Sequence, residues 1–584
     1  MTTSLIDADS LLVLDVGDIK TRAILFDVVE GRYRYLASGF STTTAGSPFN
    51  NVGEGVRLAI NDLEAITGRK LLSQDGRLLM PTLQDGSGVD TFSAIISAGP
   101  PLKIVAVGLL DRVSLDSARR IAGSAYGQVD EAIGLNDRRK MEERIDTILQ
   151  LRPDLIIIAG GTEDGAVHSV NRLVDFVSLT CRLLPESQRP EVLFAGNQAL
   201  RDEIEAKLAP TVNLHFAANI RPSVEDEELD SALNQMAHIT TTIRARQLSG
   251  VDKLEGWSHG GLLPAASAFG RIIRFLSKTY PSKKGVLGVE LGSSVTTIAA
   301  AFTGWLTLGV YPHLCQGKNL TTLLNPTNLE SIVRWLSIDI PSSTIREYMM
   351  NKCLYPANIP ITREELAIEQ AIIRHQLRFA IESIISGFPR KAVSVGKGFL
   401  PWVEPIVATG EILTQVSTYA QCVMMLLDGL QPTGTTTLIL DQNQLSSALG
   451  AAAGINPALV VQILDSNAFL HLGTVISPVG KARPGTPILR LKIAYDNGQT
   501  TNLDVLQGTF EVITLAQGQS ARLQLQPLHL YDVGMGAPGR GGNLKVTGGI
   551  FGVIIDARGR PLRLPDQPNK RLELMNKWLW NLGG

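Results

Sequence analysis

The sequence predicts an α/β protein with two like lobes, an inserted domain built on a parallel sheet, and a C-terminal β-rich domain. Three observations carry this reading. A strand–turn–strand stretch, Leu11-Leu-Val-Leu-Asp15-Val-Gly17-Asp18-Ile-Lys20-Thr21-Arg22-Ala-Ile-Leu-Phe26-Asp27, has a second version at Gly285-Val-Leu-Gly-Val-Glu290-Leu-Gly292-Ser293-Ser294-Val-Thr296-Thr297. Between the two, short apolar runs alternate with helical patterns from Lys103 to about Asn219. After Gly480 the helical periodicity gives way to short alternating runs divided by Gly and Pro.

In chain order, residues 1–99 form the first lobe. Two or three meander strands occupy residues 11–40, and apolar positions at helical spacing (Val56, Ala59, Ile60, Leu63, Ile66) stop at Gly68. A polar hairpin is expected over residues 71–90, then a strand at Phe92–Ala98 that breaks at Gly99-Pro100-Pro101. Residues 100–222 form the inserted domain. Its apolar strands, near 103–108, 155–160, 192–196 and 212–216, are separated by helices near 114–125, 137–151, 167–184 and 198–208. Buried strands alternating with helices imply a parallel, Rossmann-like sheet covered on both faces. Three of its strands end in Gly108, Gly160-Gly161 and Gly196, at the carboxyl edge where such folds bind ligands. Glycines that permit tight strand-to-helix turns are the alternative use of these positions.

Residues 223–479 return to the first lobe through a helix over 224–248 and then form the second lobe. Gly260-Gly261 interrupts the chain, and a helix is expected from Leu262 to Ser277 ahead of the second hairpin. Thr362-Arg-Glu-Glu365 reads as a capping box opening the longest helix. Pro405–Thr409 is a strand that reaches Gly410-Glu411 just before another helix. Residues 480–584 form the β-rich domain. Its Gly- and Arg-rich loops, 532–542 and 556–561, are open to two uses: an anion or acidic partner, or turns and internal salt bridges.

Composition narrows the function classes. The 584 residues carry 54 Lys and Arg against 56 Asp and Glu, so no cationic excess exists to neutralise nucleic-acid phosphates. The four cysteines, Cys181, Cys315, Cys353 and Cys422, lie far apart and fit buried thiols of a cytoplasmic protein. Met1–Asp9 lacks the basic and apolar regions of a signal peptide, and no apolar run reaches the ~20 residues needed for a membrane span.

The spacing Asp15–Gly17–Thr21 matches Glu290–Gly292–Thr296. Each hairpin gathers backbone N–H groups, a hydroxyl and a carboxylate, the parts needed to hold polyphosphate and hydrated Mg²⁺. Together with Thr409-Gly410-Glu411, the pattern resembles the actin, sugar kinase and seventy-kilodalton heat-shock ATPase superfamily. On that resemblance Gly17, Asp18, Lys20 and Thr21 form one phosphate-binding element of an ATPase lobe, and Gly292, Ser293, Ser294 and Thr296 the other. Asp15 and Glu290 would hold Mg²⁺ through its waters, and Gly410 and Glu411 would contact adenosine or ribose. No nucleophile or general base stands out. Asp18 and Glu411 are candidates to orient a hydrolytic water, and nothing in the sequence selects between them.

Further motifs agree in order with the glutamate mutase L family, a branch of that superfamily. They are Ser97-Ala-Gly99 before Ile104-Val-Ala-Val-Gly-Leu, Leu151-Arg-Pro-Asp-Leu-Ile-Ile-Ile-Ala-Gly160-Gly-Thr162, Val192-Leu-Phe-Ala-Gly196-Asn197, Ala218-Asn219-Ile-Arg-Pro222 and Leu263-Pro264-Ala265. The resemblance covers residues 10–460. It implies an ATP-driven chaperone or reactivating factor whose protein client is an adenosylcobalamin-dependent mutase-type enzyme. A non-hydrolysing nucleotide-binding scaffold and a small-molecule kinase are the alternatives. Asp18 stands where the family has small or hydroxylic residues, Glu290 replaces an Asp, Thr297 replaces an acidic residue, and Pro100-Pro101 replaces a glycine-rich continuation. These departures favour nucleotide binding over fast hydrolysis. The inserted domain lacks an Asp-x-His-x-x-Gly cobalamin motif, so no bound cobalamin is expected.

Overall fold

A computed structural model describes residues 10–163, 165–258, 261–280, 283–389 and 391–583. The expectations for Met1–Asp9, for Asp164 in the glycine loop and for Gly260 lie outside the described residues. The chain divides into two units, one comprising Met1–Ala268 with Leu308–Pro312 and Ser447–Leu459, the other the remainder.

In the first unit, a five-stranded sheet runs in the order Leu262–Pro264, Thr91–Ile96, Leu11–Val16, Lys20–Val29, Arg32–Thr42. The last three form an antiparallel meander, and Thr91–Ile96 joins Leu11–Val16 in parallel. Helix Val52–Thr67 covers one face, burying Val56, Ala59, Ile60 and Leu63 against Leu12, Leu14, Ala23 and Leu25. Its Asn51 side chain accepts from Gly53 N, and Gly68 closes it at φ +71°. Residues 71–90 make a single bridge, Leu72 to Leu78, rather than a full hairpin. The helix expected from Leu262 begins at Ala265, because Leu262–Pro264 pairs with Thr91–Ile96 as an edge strand.

The inserted sheet has five parallel strands in the order Gly127–Ile133, Leu102–Gly108, Leu155–Ala159, Glu191–Phe194, Leu214–Phe216. Leu102, Ile104 and Ala106 enter one core while Val105 and Val107 enter the other, the two-sided burial that makes such strands continuously apolar. Gly127–Ile133 was not expected. As an edge strand with Gln128, Asp130 and Glu131 it carries too little apolar character to read as a buried one.

In the second unit, an eight-stranded sheet begins Trp305–Tyr311, Thr296–Phe302, Gly285–Leu291, Val403–Thr409, Gly434–Leu440. It continues through Leu470–Ser477, Val553–Asp556 and Phe510–Ile513. The segment after Gly480 is therefore only partly a sheet of its own. Pro487–Tyr495, Thr500–Leu506, Ser520–Pro527 and Gly542–Thr547 form a separate four-stranded sheet, but Phe510–Ile513 and Val553–Asp556 extend the lobe. One core spans both, joining Ile476, Val553 and Ile555 to Leu489, Leu491 and Leu523. The chain ends in a helix, Pro568–Asn581. The expected capping box opens helix Arg363–Ile384, where Thr362 and Glu365 each bond the other's backbone N–H. No helix among the described residues is long and apolar enough to cross a membrane.

The first lobe's sheet and the first five strands of the second share one plan: an antiparallel meander, then two parallel strands on the far side of its first strand. This duplicated order is that of actin-like lobes.

Candidate functional site

The two hairpins superpose residue by residue in their pairing. Asp15 opposes Arg22 and Val16 opposes Thr21; Glu290 opposes Thr297 and Leu291 opposes Thr296. In the first turn Gly17 N donates to Lys20 O at 2.9 Å, and in the second Gly292 N donates to Val295 O at 2.9 Å. A Cβ on Gly17 would stand 2.7 Å from Lys20 O, and one on Gly292 2.8 Å from Val295 O. Both turns thus require glycine for the same reason, a close carbonyl beneath the Cα.

In the first turn, Gly17 and Asp18 are half-buried, Lys20 is exposed and Thr21 is buried. Asp15 is not held ready for a cation alone. Arg22 donates to its Oδ2 from Nη2 at 2.6 Å and from Nε at 3.2 Å. Directly opposed cross-strand residues on one face come within reach of each other, and this brings the two charges together. Arg22 was not among the expected site residues; counting the pairing outward from Gly17 places it opposite Asp15. Beside the turn, Ser97 N and Ala98 N donate to Val16 O at 3.0 and 3.1 Å, which sets the Ser97–Gly99 loop against it.

In the second turn, Ser293 is half-buried and Ser294 buried. Glu290 pairs in register with Thr409, and Gly410 follows at φ +125° with its Cα face 2.3 Å (to a built Cβ) from Leu291 O. Glu411 opens the short helix Glu411–Thr414, and its Oε1 accepts from Gln415 Nε2 at 2.8 Å. The structure therefore brings Glu290, Gly292, Ser293, Ser294, Thr296, Gly410 and Glu411 to one end of one sheet. Gly17, Asp18, Lys20 and Thr21 form a turn at the corresponding end of the other.

Buried hydroxyls mark both turns. The Oγ1 atoms of Thr21, Thr296, Thr297 and Thr409 are all buried without a hydrogen-bond partner among the described residues. Unsatisfied buried donors are rare in native proteins and fit a site that completes them with a ligand or water. No group of three His, Cys, Asp or Glu suited to a metal occurs among the described residues. The donors present fit Mg²⁺ carried in on phosphates and water, the usual mode for this ion.

The other sequence candidates are used internally. In the inserted domain's glycine loop, Asn197 Nδ2 donates to Gly165 O, and Asn219 Nδ2 donates to Gly161 O and Glu163 Oε1. In the C-terminal loop, Arg558 binds Asp556 and Asp428, Arg374 also binds Asp428, and Arg560 binds Asp556, with the Arg558 and Arg560 side chains fully buried. Burial alone would raise the Asp556 carboxyl, but the charges of Arg558 and Arg560 hold it well below the usual carboxylate range. Of the two uses open for the 556–561 loop, the structure adopts internal salt bridges.

The MutL protein family matches residues 11–468. The Protein MutL of Clostridium tetanomorphum is 20% identical over 356 residues, spanning 55% of this chain and 72% of that one. Among solved structures, the chain is similar to a nucleotide-free acetone carboxylase (11% identity, 86% of this chain and 81% of that chain, TM-score 0.34). It is also similar to the ethanolamine utilization protein EutJ of Carboxydothermus hydrogenoformans (10% identity, 76% of this chain and 90% of that chain, TM-score 0.28). A third is component A of the (R)-2-hydroxyglutaryl-CoA dehydratase of Acidaminococcus fermentans (10%, 76% and 96%, TM-score 0.27). The fold rests on the duplicated strand order described above. With more than half its length matched, the chain belongs to the MutL protein family, that of glutamate mutase L.

Proposed function

We propose that the protein binds ATP with Mg²⁺ and acts as an ATP-driven chaperone or reactivating factor for an adenosylcobalamin-dependent mutase-type enzyme. The single observation that carries the nucleotide reading is the repetition of one glycine turn, with the same hydrogen bond and the same unpartnered threonine hydroxyl, in two lobes of one plan. Gly17, Asp18, Lys20 and Thr21, with Gly292, Ser293, Ser294 and Thr296, would meet phosphate. Gly410 and Glu411 would meet adenosine or ribose, and Asp15 and Glu290 the waters of Mg²⁺. Backbone amides can approach a triphosphate closely only where side chains are small, which both turn glycines provide. The mutase client is supported by membership of the MutL family.

Calorimetric titration of the full chain with ATP and Mg²⁺ tests the first half; saturable binding with one site is expected, and none overturns it. ATP-dependent recovery of an inactivated adenosylcobalamin mutase tests the second. A second reading, nucleotide binding without turnover, is favoured by the Asp15–Arg22 pair, which occupies a carboxylate the hydrolytic reading would give to hydrated Mg²⁺. Binding without client-stimulated ATP turnover would select it.

A further inference from the structure

We propose that Arg244 is the cation of the first lobe that senses polyphosphate, and that Gln247 and Asp154 carry its response into the inserted domain; this rests on the nucleotide reading of the first turn. Arg244 lies in helix Asp230–Gln247 and is only 2% exposed. A buried guanidinium ordinarily has a carboxylate partner, because removing an unpaired charge from water is costly. Arg244 forms no ion pair among the described residues. Its Nη1 donates to Gln247 Oε1 at 2.5 Å, and its buried Nη2 has no partner among those residues.

The guanidinium rests on Gly99. A Cβ there would stand 2.7 Å from Nη1 and 3.1 Å from Cζ, and Gly99 has φ +108°, so both space and backbone call for glycine. The ring of Tyr126 lies 5.8 Å from Cζ. Gly99 ends the Ser97–Gly99 loop, whose amides bind Val16 O one residue before Gly17, and Ser97 Oγ is 3.8 Å from a Cβ built on Gly17. A short stretch of backbone thus separates the guanidinium from the first turn.

The turn's own charges explain why a cation is useful there. Asp18 sets a carboxylate against the exposed Lys20, and Arg22 is engaged by Asp15, which leaves Arg244 as the buried guanidinium behind the turn that forms no ion pair among the described residues. Burial pushes Arg244 down to about 10, with the charges of Tyr126, Asp154 and Asp18 opposing that shift, so the guanidinium keeps its proton at neutral pH. A full charge in a poorly screened interior attracts an anion more strongly than one in water. The connection to the inserted domain is a short chain of hydrogen bonds. Gln247 Nε2 donates to Asp154 Oδ1 at 3.2 Å, and Asp154 Oδ2 accepts from Lys103 N at 2.9 Å. Asp154 precedes strand Leu155–Ala159, and Lys103 lies in Leu102–Gly108, so these bonds reach two central strands of the inserted sheet.

The test is calorimetric titration of the full-length protein and its Arg244→Met and Arg244→Lys variants with ATP, ADP and adenosine. Arg244→Met is expected to weaken ATP about 30-fold, the scale of one buried charge acting through the intervening backbone, and to leave adenosine unchanged. Arg244→Lys should recover part of the loss. Equal loss for ATP and adenosine, or no loss, overturns the inference alone; failure of the unaltered protein to bind ATP overturns the nucleotide reading and this with it. If Arg244→Met does not fold, Gly99→Ala, which displaces the guanidinium, must give the same selective loss. For the second half, ATP should slow amide exchange in Leu102–Gly108 and Leu155–Ala159, and Gln247→Leu should weaken that protection. Unchanged exchange on ATP addition to the unaltered protein overturns the coupling.

Discussion

The two glycine turns share a backbone and differ in charge. Val16-Gly17-Asp18-Ile19-Lys20-Thr21-Arg22 and Leu291-Gly292-Ser293-Ser294-Val295-Thr296-Thr297 close with the same amide-to-carbonyl bond and bury the same threonine. The first carries the Asp15–Arg22 ion pair and an added Asp18 and Lys20; at the corresponding places the second has Glu290 opposite Thr297, then Ser293 and Val295. Duplication has therefore conserved what the peptide backbone must do and released what side chains do. In the second lobe Gly410 comes up beside the turn; in the first, that place is taken by the Ser97–Gly99 loop backed by Arg244.

Five substitutions break or sharpen this comparison. The largest effect is expected from Gly292→Asp, which adds a charge and a Cβ 2.8 Å from Val295 O. ATP affinity measured by calorimetry should fall on the order of 100-fold or more, corresponding to about 3 kcal/mol. Arg22→Met asks whether the ion pair fixes the first hairpin in the place that Glu290 and Thr297 hold in the second. It leaves the largely buried Asp15 carboxylate unpaired, so stability in a urea titration should drop by about 3 kcal/mol. If stability holds, the pair is not what fixes the first hairpin.

Thr21→Val and Thr296→Val probe what the turns share. Because neither Oγ1 has a partner among the described residues, replacement by a similar apolar shape should leave the melting temperature within about 2 °C or raise it. ATP affinity should nevertheless fall, by about 5-fold for each, the worth of a neutral hydrogen bond. A fall in stability without a change in affinity would make the two hydroxyls structural. The smallest effect is expected from Asp18→Asn, which brings the first turn toward the charge of the second. It should tighten ATP by roughly 3-fold at low salt, and the gain should shrink as ionic strength rises.

Much of this was legible in the residues. The Asp15–Gly17–Thr21 spacing and its repeat predicted both turns, because a hairpin's register follows once its turn is placed. Thr362 and Glu365 announced a helix start through local chemistry alone. Other features were not legible, each for a physical reason. The edge strand Gly127–Ile133 has a solvent-facing composition, so its pairing is decided by the neighbouring strand. Leu262–Pro264 reads as the start of a helix until Thr91–Ile96 claims it. Phe510–Ile513 and Val553–Asp556 look like their β-rich surroundings, yet join a sheet whose first strand in chain order, Gly285–Leu291, begins more than 200 residues earlier.

By itself the sequence determined the repeat, the glycine turns and the alternation that makes the inserted sheet, since these depend on contacts between residues close along the chain. Only the tertiary structure decided which charges meet. Arg22 reaches Asp15 across a strand, Arg558 reaches Asp428 from 130 residues away, and Arg244 arrives from a distant helix to rest on Gly99. Charges act through space with a strength set by burial, and neither distance nor burial is written in the order of the residues.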